Sequence, residues 1–506
     1  MRVMKKGLKM LRRVEKKEFK FSEFIKLRNL FTPSYVPFWL WFAGTGAGIF
    51  LIYALFSALP FNYKIGLIIT LEIFICILSV GLFRFYPQFL TGKYLALFAT
   101  ILLSTALMGR IFTALPQIPD VFIPFAFSSI LFSLFFNLPL SIFSLSMLSI
   151  LFAVFSGELE LLPVWFCGGM AGAYGASLIH HRTDITRVGL WVGFVNLFSV
   201  AGIAFIKDFS LPQFASLGLW GLGSGIFSSV LINVTLPYFE TYFGITTDIR
   251  LVELADLNHP LLHRLSIEAP GTYHHTITVA SLSIAAAEQV GANPLLARVG
   301  AYYHDVGKTT RPHFFFENTR VGGGNDYHSR VSPNLSSVII ISHVKDGIEL
   351  AKIFRLPQVV IDIIAQHHGT SLIAYFYRKA LLDKKKKEPV SEADFRYPGP
   401  RPQTKEAAIV MLADSVEADF RFSSWKSPKG IRERVHKVID NKLKDHQLDE
   451  ADLSLRDLNL IEEAFTRVLT GLSHTRKRYP EEMLGNEKKK PGNQQYVGRK
   501  SSRISS

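Results

Sequence analysis

Histidines and aspartates in the C-terminal half of the chain form a set that could hold divalent metal ions. Neutral imidazoles and carboxylates are the ligands that iron, manganese and zinc accept in proteins. A single histidine is more often a hydrogen-bonded polar group than a ligand, so the prediction depends on the whole set. Its members are the His274-His275 pair, His304, Asp305, His343, His367, His368 and Asp414.

The segment from His304 to Lys308 is the centre of this prediction. Asp305 offers two carboxylate oxygens, so it can bridge two metal ions as an imidazole cannot. Gly307 permits a tight turn after the His-Asp pair, and Lys308 supplies a fixed positive charge for a phosphate group. A two-metal site activates water for attack on a phosphodiester, so no nucleophilic side chain is needed. The expected catalytic residues are Asp305 and Lys308.

Helices are expected to position these side chains. Asn293-Pro294 is typical of a helix cap and a first-turn proline, and it precedes a predicted helix at 295–304. Further helices are predicted at 357–366 and 406–420, the latter with apolar residues on one face. Little of the alternation typical of strands is present from residue 258 on. The sequence therefore predicts an all-α domain around the metal ligands.

The N-terminal half has the composition of a membrane protein. Mean hydropathy over the whole chain is +0.23, and residues 37–236 are almost entirely apolar. About 20 apolar residues form a helix that crosses a bilayer. The fourth and fifth of the eight predicted spans are short and could instead form one broken or re-entrant element. The predicted spans are 37–59, 65–83, 94–112, 121–136, 139–155, 161–179, 188–206 and 216–236.

Charge is also distributed unevenly in this protein of net charge +15. The basic segment 1–28 could be a nucleic-acid-binding arm, but a cytoplasmic anchor before the first span is favoured. It is too long for a cleavable signal peptide and has no small-residue cleavage site. With the N-terminus inside, the basic loops at 84–93 and 180–187 are also inside. The acidic loops containing Asp120 and 157–160 are outside, and an even number of spans returns the chain to the cytoplasm.

Several segments carry a resemblance to a known family. Between about residues 61 and 480, the chain resembles the seven-transmembrane HD phosphohydrolases, whose characterised members hydrolyse cyclic di-AMP. Val306 replaces the isoleucine that is usual in the HDIG motif, which is a conservative change. The resemblance is carried by EAPGTYHHT, ANPLLARVGAYYHDVGK, IIISHVKDG, QHHGT, DFRYPGPRPQTKEAAIVMLADSVEA and LDEADLSL.

The resemblance implies a ligand set for each of two metal ions, with iron or manganese expected. His274 is interpreted as a neighbour of the matched His275 rather than a ligand. His328 lies in a loop that differs from the family pattern and could approach the substrate. The implied sets are His275, His304, Asp305 and Asp414 for one ion, and His343, His367, His368 and the same Asp305 for the other.

The expected function is that of a membrane-bound, two-metal phosphodiesterase that converts cyclic di-AMP to linear pApA. One alternative is hydrolysis of another nucleotide, such as cyclic di-GMP or guanosine tetraphosphate. Gly369-Thr370-Ser371 follows His368 in place of the addition typical of the cyclic di-GMP branch, which disfavours that substrate. Another alternative is a non-catalytic nucleotide-binding receptor, although a full ligand set argues against it. A transporter is disfavoured by the scarcity of charge within the spans.

The family usually places a large extracellular domain between its first span and the remaining seven. Here residues 60–64 alone join these spans, so the catalytic interpretation stands and the family's mode of sensing is not carried over.

The expected organisation is a basic cytoplasmic N-terminus at 1–33, a transmembrane bundle at 34–236 and a linker helix at 237–258. An HD phosphohydrolase domain at 259–480 and a basic disordered tail at 481–506 follow. The expected location is the inner membrane of a bacterial cell, with both termini and the HD domain in the cytoplasm. The expected partners are a cyclic dinucleotide and the lipid bilayer, without nucleic acid, and assembly into a homo-oligomer is left open.

Overall fold

The computed structural model describes residues 60–319, 327–382, 389–422 and 427–475. The chain divides into two compact units between Asp256 and Leu257. Within the described ranges there are helices and turns but no β-strand, apart from one isolated bridge between Leu372 and Arg396. The prediction of an all-α fold is therefore confirmed. The predicted N-terminal segment 1–33, first span 37–59 and tail 481–506 lie outside the described residues.

Within residues 60–256, the first unit contains seven consecutive apolar helices and one short helix after them. In chain order they are α1 (Phe61–Phe85), α2 (Gly92–Thr113), α3 (Phe125–Phe135), α4 (Leu138–Ser156), α5 (Leu162–Ala176), α6 (Arg182–Lys207), α7 (Leu211–Phe243) and α8 (Asp248–Leu254).

Five of these helices, namely α1, α2, α4, α6 and α7, are long and apolar enough to cross a membrane. At the predicted fourth and sixth spans, α3 has 11 residues and α5 has 15, fewer than the roughly 20 that a bilayer crossing takes. Nine of the eleven residues of α3 are buried. Because its backbone and side chains are enclosed by protein, α3 does not have to match the thickness of the lipid.

Small and hydroxyl-bearing residues join the helices of this unit. Ser129 donates a hydrogen bond to the Gly169 carbonyl at 2.8 Å, and Ser141 donates to the Ser129 carbonyl at 2.6 Å. A Cβ placed on Gly225 of α7 would lie 2.3 Å from the Gly193 nitrogen of α6, so α6 and α7 touch through their backbones. Such contacts replace the hydrophobic effect as the source of helix association in lipid.

The segment 237–258, where the sequence predicts one linker helix, is divided. Helix α7 continues through Pro237 to Phe243, and Gly244 in the left-handed conformation ends it. Helix α8 then begins after Thr247, whose side chain accepts a hydrogen bond from the Arg250 amide. The division arises because glycine adopts the left-handed conformation without steric cost.

Within the described residues, the second unit is built from helices without a β-strand. They are α9 (Pro260–Glu268), α10 (Pro270–Val290), α11 (Pro294–Tyr303), α12 (Phe316–Thr319), α13 (Pro333–Ile353), α14 (Gln358–Gln366), α15 (Ala374–Leu381), α16 (Lys405–Phe422), α17 (Pro428–Lys444) and α18 (Leu455–Thr475).

Helix α10 lies at the centre of the second unit and packs against α11, α16 and α18. Helix α11 begins at Pro294, where the Asn293 side chain accepts hydrogen bonds from the Leu295 and Leu296 amides. It ends at Tyr303, so the His304-Asp305 pair follows directly at its C-terminus. The buried faces of these helices place the predicted ligand residues inside the unit.

Candidate metal centre

The seven predicted metal ligands come from five parts of the second unit and meet in its interior. Helix α10 contributes His275, the end of α11 contributes His304 and Asp305, and α13 contributes His343. His367 and His368 follow α14, and Asp414 lies on α16. All except His368 are less than 9% exposed, and the His368 side chain is 19% exposed.

The seven residues divide into two groups that share Asp305. In each group the potential ligand atoms lie within 4.8 Å of one another. The groups are His275, His304, Asp305 and Asp414, called here the α10 site, and Asp305, His343, His367 and His368, called here the α13 site.

The two oxygens of Asp305 face the two sites separately. Oδ2 lies 3.5 Å from His275 Nε2 and 3.2 Å from His304 Nε2. Oδ1 lies 3.3 Å from His343 Nε2 and 3.6 Å from His367 Nε2. A carboxylate in this position offers one oxygen to each of two neighbouring metal ions.

Backbone carbonyls orient three of the histidines. The Nδ1–H groups of His304, His343 and His367 donate to the carbonyl three residues earlier, at 2.8, 2.5 and 2.7 Å. Because a carbonyl can only accept, Nδ1 must be protonated and Nε2 carries the lone pair. The Nε2 atoms face Asp305, which is the arrangement expected of metal-binding imidazoles whose other nitrogen is hydrogen-bonded.

His275 is held by carboxylates instead. Its Nδ1 lies 2.5 Å from Oε2 of Glu417, and its Nε2 lies 3.1 Å from Oδ1 of Asp414. The second oxygen of Asp414 lies 3.7 Å from Nδ1 of His368, so Asp414 is also close to the α13 site.

Buried atoms without hydrogen-bond partners show that these residues fit a metal. His304 Nε2 and both oxygens of Asp305 have no hydrogen bond, although the two residues are 0% and 1% exposed. The Lys308 ammonium is 2.6 Å from Asp305 Oδ2 but lacks hydrogen-bond geometry, so this contact is an ion pair. A buried polar atom without a hydrogen bond costs about 1–3 kcal/mol, and metal coordination removes that cost.

Burial and neighbouring charges set the protonation of the ligands. Burial lowers the pKa of His367 to about 4, and it holds the pKa of His368 well below its usual range, so both are neutral. Burial opposes ionisation of Asp305, but Lys308 and His304 hold its pKa well below the usual range. Burial also opposes the charge on His275, yet hydrogen bonds to Asp414 and Glu417 raise its pKa to about 10.

Lys308 lies at the centre of the site and has two acidic neighbours. Besides Asp305, its ammonium group contacts Oε1 of Glu317 at 2.9 Å. The Thr272 hydroxyl donates to the same oxygen at 3.1 Å. His328 is in neither ligand group, and its ring nitrogen Nε2 lies 2.7 Å from the Phe314 carbonyl.

The glycine of the His-Asp-Val-Gly segment permits a backbone contact. A Cβ on Gly307 would lie 1.9 Å from the His343 carbonyl oxygen and 2.5 Å from the Gly347 nitrogen. Any side chain at Gly307 would push the turn that follows α11 away from α13. The position of Asp305 between the two ligand groups depends on this close contact between the turn and α13.

The sequence analysis did not predict three residues that lie at the metal centre, namely Glu417, Glu317 and Tyr397. Glu417 lies three positions after Asp414 on α16, and this spacing on one helix face was a usable signal. Glu317 has no such signal, because its position depends on the path of the chain after α11. Tyr397 stacks on His368 with ring centroids 4.3 Å apart.

Both halves of the chain match known families. Residues 47–247 match the family described as a 7TM receptor with intracellular HD hydrolase, and residues 272–419 match the HD domain. A divalent metal requirement follows from the HD domain, and the five long apolar helices belong to a membrane protein.

Curated relatives share the sequence of this chain over most of its length. The cyclic-di-AMP phosphodiesterase PgpH of Bacillus subtilis is 45% identical over 319 residues, which are 63% of this chain and 44% of the relative. The PgpH of Listeria monocytogenes is 44% identical over 303 residues, which are 60% of this chain and 42% of the relative. The matched region thus spans less than half the length of these relatives.

A crystal structure of the L. monocytogenes PgpH HD domain in complex with cyclic di-AMP is also similar to this chain. It is 45% identical, and the match covers 44% of this chain and 100% of that one, with a TM-score of 0.41.

Proposed function

We propose that this chain, which matches the 7TM receptor with intracellular HD hydrolase and the HD domain, is a membrane-bound phosphodiesterase that hydrolyses cyclic di-AMP to linear pApA. The observation that carries the proposal is the sharing of Asp305 between two groups of potential metal ligands. The proposed substrate is inferred from the two PgpH relatives, which are cyclic-di-AMP phosphodiesterases.

The proposed ligand atoms include Nε2 of His275, His304, His343 and His367, together with the oxygens of Asp305 and Asp414. We propose two ions of iron or manganese, because imidazole and carboxylate ligands suit both metals. Such ions, when bound, act as Lewis acids toward a phosphodiester and lower the pKa of water.

Residues of the chain orient the metal ligands and the substrate. Hydrogen bonds at Nδ1 keep the Nε2 lone pairs of His304, His343 and His367 directed into the site. Lys308 is proposed to hold a phosphate oxygen of the substrate through a charge-assisted contact. Water adds to phosphorus and the P–O3′ bond breaks, which leaves a 3′-hydroxyl on one nucleotide and a 5′-phosphate on the linear product.

A product assay of the full chain tests the proposed substrate. The protein in detergent, loaded with manganese or iron, is incubated with cyclic di-AMP, cyclic di-GMP or guanosine tetraphosphate, and the products are separated by chromatography. We expect pApA from cyclic di-AMP, and no product after treatment with a chelator. Turnover of only another nucleotide would contradict the substrate, and binding without turnover would indicate a receptor.

The same proposal places the protein in the inner membrane of a bacterial cell, with both termini and the HD domain, residues 259–480, in the cytoplasm. The basic loops near 84–93 and 180–187 support this orientation. Reporter fusions at the C-terminus should be active in the cytoplasm, and an extracytoplasmic signal would contradict the orientation. Assembly into a homo-oligomer is part of the proposal, and light scattering in detergent tests it.

A further inference from the structure

The histidines of the metal centre are not oriented by the same kind of group. His304, His343 and His367 donate from Nδ1 to neutral backbone carbonyls. His275 instead has the carboxylate of Glu417 2.5 Å from its Nδ1. The Glu417 side chain is 10% exposed and is in neither ligand group, so its position is not explained by metal coordination.

Helix α16 presents two carboxylates to the two nitrogens of one imidazole. Asp414 and Glu417 are three residues apart, so they project from the same face of α16. Asp414 faces Nε2 of His275 and Glu417 faces Nδ1. One turn further along, Arg421 contacts both oxygens of Glu417, at 2.8 and 2.9 Å. Arg421 therefore holds Glu417 in the orientation in which it meets the ring.

A carboxylate and a carbonyl have different effects on a metal-binding imidazole. Both keep the proton on Nδ1, which leaves Nε2 to bind the metal. The charged acceptor forms the stronger hydrogen bond and makes the opposite nitrogen a more basic ligand. In the α13 site, by contrast, His343 and His367 have carbonyl partners, so the two metal sites differ in this respect.

We infer that Glu417, held by Arg421, is a positioning residue that fixes His275 with Nε2 toward the metal and strengthens the α10 site selectively. The inference rests on the proposed two-metal function and names a residue that acts through a ligand rather than as one. A role limited to fold stability would change the unfolding temperature without changing metal affinity.

Glu462 provides a matched control within the same unit. Its carboxylate also joins a histidine to an arginine, since it lies 2.7 Å from His436 Nδ1 and 3.1 Å from Arg432 Nε. Like Glu417, it is 10% exposed at the side chain. None of Glu462, His436 and Arg432 belongs to a ligand group within the described residues.

The experiment is a titration of the full chain in detergent with Mn²⁺ after removal of metal by a chelator. Isothermal calorimetry compares the wild type with Glu417→Gln, Glu417→Ala and Glu462→Gln, and thermal unfolding of each metal-free protein is recorded. We expect the affinity of one of the two binding events, corrected for competition by the proton on His275, to weaken about tenfold in Glu417→Gln and up to about a hundredfold in Glu417→Ala. Glutamine should have the smaller effect because its carbonyl can still accept the Nδ1 proton. Glu462→Gln should bind Mn²⁺ as the wild type does.

Unchanged Mn²⁺ affinity in Glu417→Ala would overturn the inference, whether or not that variant unfolds at a lower temperature. Equal weakening of both binding events would also overturn it, because the effect would not be selective. The titration needs no nucleotide. A wild-type protein that binds two Mn²⁺ ions but does not hydrolyse cyclic di-AMP would therefore contradict the proposed function alone.

Discussion

The membrane unit and the hydrolase unit both bury polar groups, but the groups differ in kind. In the membrane unit, the hydroxyls of Ser129, Ser133 and Ser141 donate to backbone carbonyls of neighbouring elements. In the hydrolase unit, His304 Nε2 and both Asp305 oxygens are buried without a hydrogen bond. Hydroxyl groups of the membrane unit that find partners stabilise helix contacts, whereas these ligand atoms of the hydrolase unit have no hydrogen bond and identify a place for a metal.

The largest effect on hydrolysis is expected at Asp305. Both of its carboxylate oxygens are buried without a hydrogen bond, unlike the serine hydroxyls of the membrane unit. Asp305→Ala should abolish hydrolysis and lose metal from both sites, because each site loses the oxygen that faces it. Metal content measured by mass spectrometry and pApA formation test this expectation. Asp440→Ala, which removes an exposed partner of Lys444, serves as the control. Normal metal content and turnover in Asp305→Ala would reject the shared site.

A smaller effect is expected at Lys308, which is charged but is not a ligand type when protonated. Lys308→Ala should keep metal and slow hydrolysis or weaken substrate binding by roughly ten- to a hundredfold. Charge-assisted contacts contribute about 1.5–3 kcal/mol, which corresponds to that range. Steady-state kinetics separates the two effects, and the exposed Lys345→Ala is the control. Kinetics within twofold of the wild type would exclude a role in substrate binding, and metal loss would show that the lysine is structural.

The two metal sites should also differ in their response to pH. Metal binding requires neutral imidazoles, and hydrogen bonds to Asp414 and Glu417 raise the pKa of His275 to about 10. Near pH 7, binding at the α10 site must therefore release the His275 proton, so its affinity should rise about tenfold per pH unit. Burial keeps His367, with a pKa of about 4, neutral in this range, so it releases none. Calorimetry in buffers of different ionisation enthalpy counts the protons, and equal release at both sites would contradict the difference.

The two units differ in how far the sequence could predict them. Hydropathy predicts where the membrane helices lie, but it cannot distinguish lipid from protein as the surroundings of an apolar residue. This is why α3 and α5 are shorter than the predicted spans at 121–136 and 161–179. The last span was predicted to end at residue 236, whereas helix α7 continues through Pro237 to Phe243.

In the hydrolase unit, local signals locate the helix ends but not the contacts between distant residues. Asn293-Pro294 predicts the start of α11 because the side chain and ring act within one turn. The types and spacing of the histidines and aspartates predict a metal site, and the structure brings the seven predicted ligands together. The spacing from Asp414 places Glu417 on the ligand face of α16, but no local pattern identifies His275, 142 positions away, as its partner.

The smallest effect on hydrolysis is expected from a change confined to the membrane unit, Gly225→Ala. A Cβ at this position would lie 2.3 Å from the Gly193 nitrogen and 2.4 Å from the Gly189 carbonyl oxygen, both backbone atoms that cannot turn aside. Overpacking of this kind costs about 1–3 kcal/mol, so helices α6 and α7 should separate at a lower temperature. Gly202→Ala on α6 is the matched control, because nothing lies within 4 Å of its Cβ position.

We expect Gly225→Ala alone to lower the thermal midpoint in detergent, while Mn²⁺ binding to the hydrolase unit stays at the wild-type level. Loss of Mn²⁺ binding in Gly225→Ala would show that close packing in the membrane unit also maintains the metal centre, and the distinction between the two units would fail.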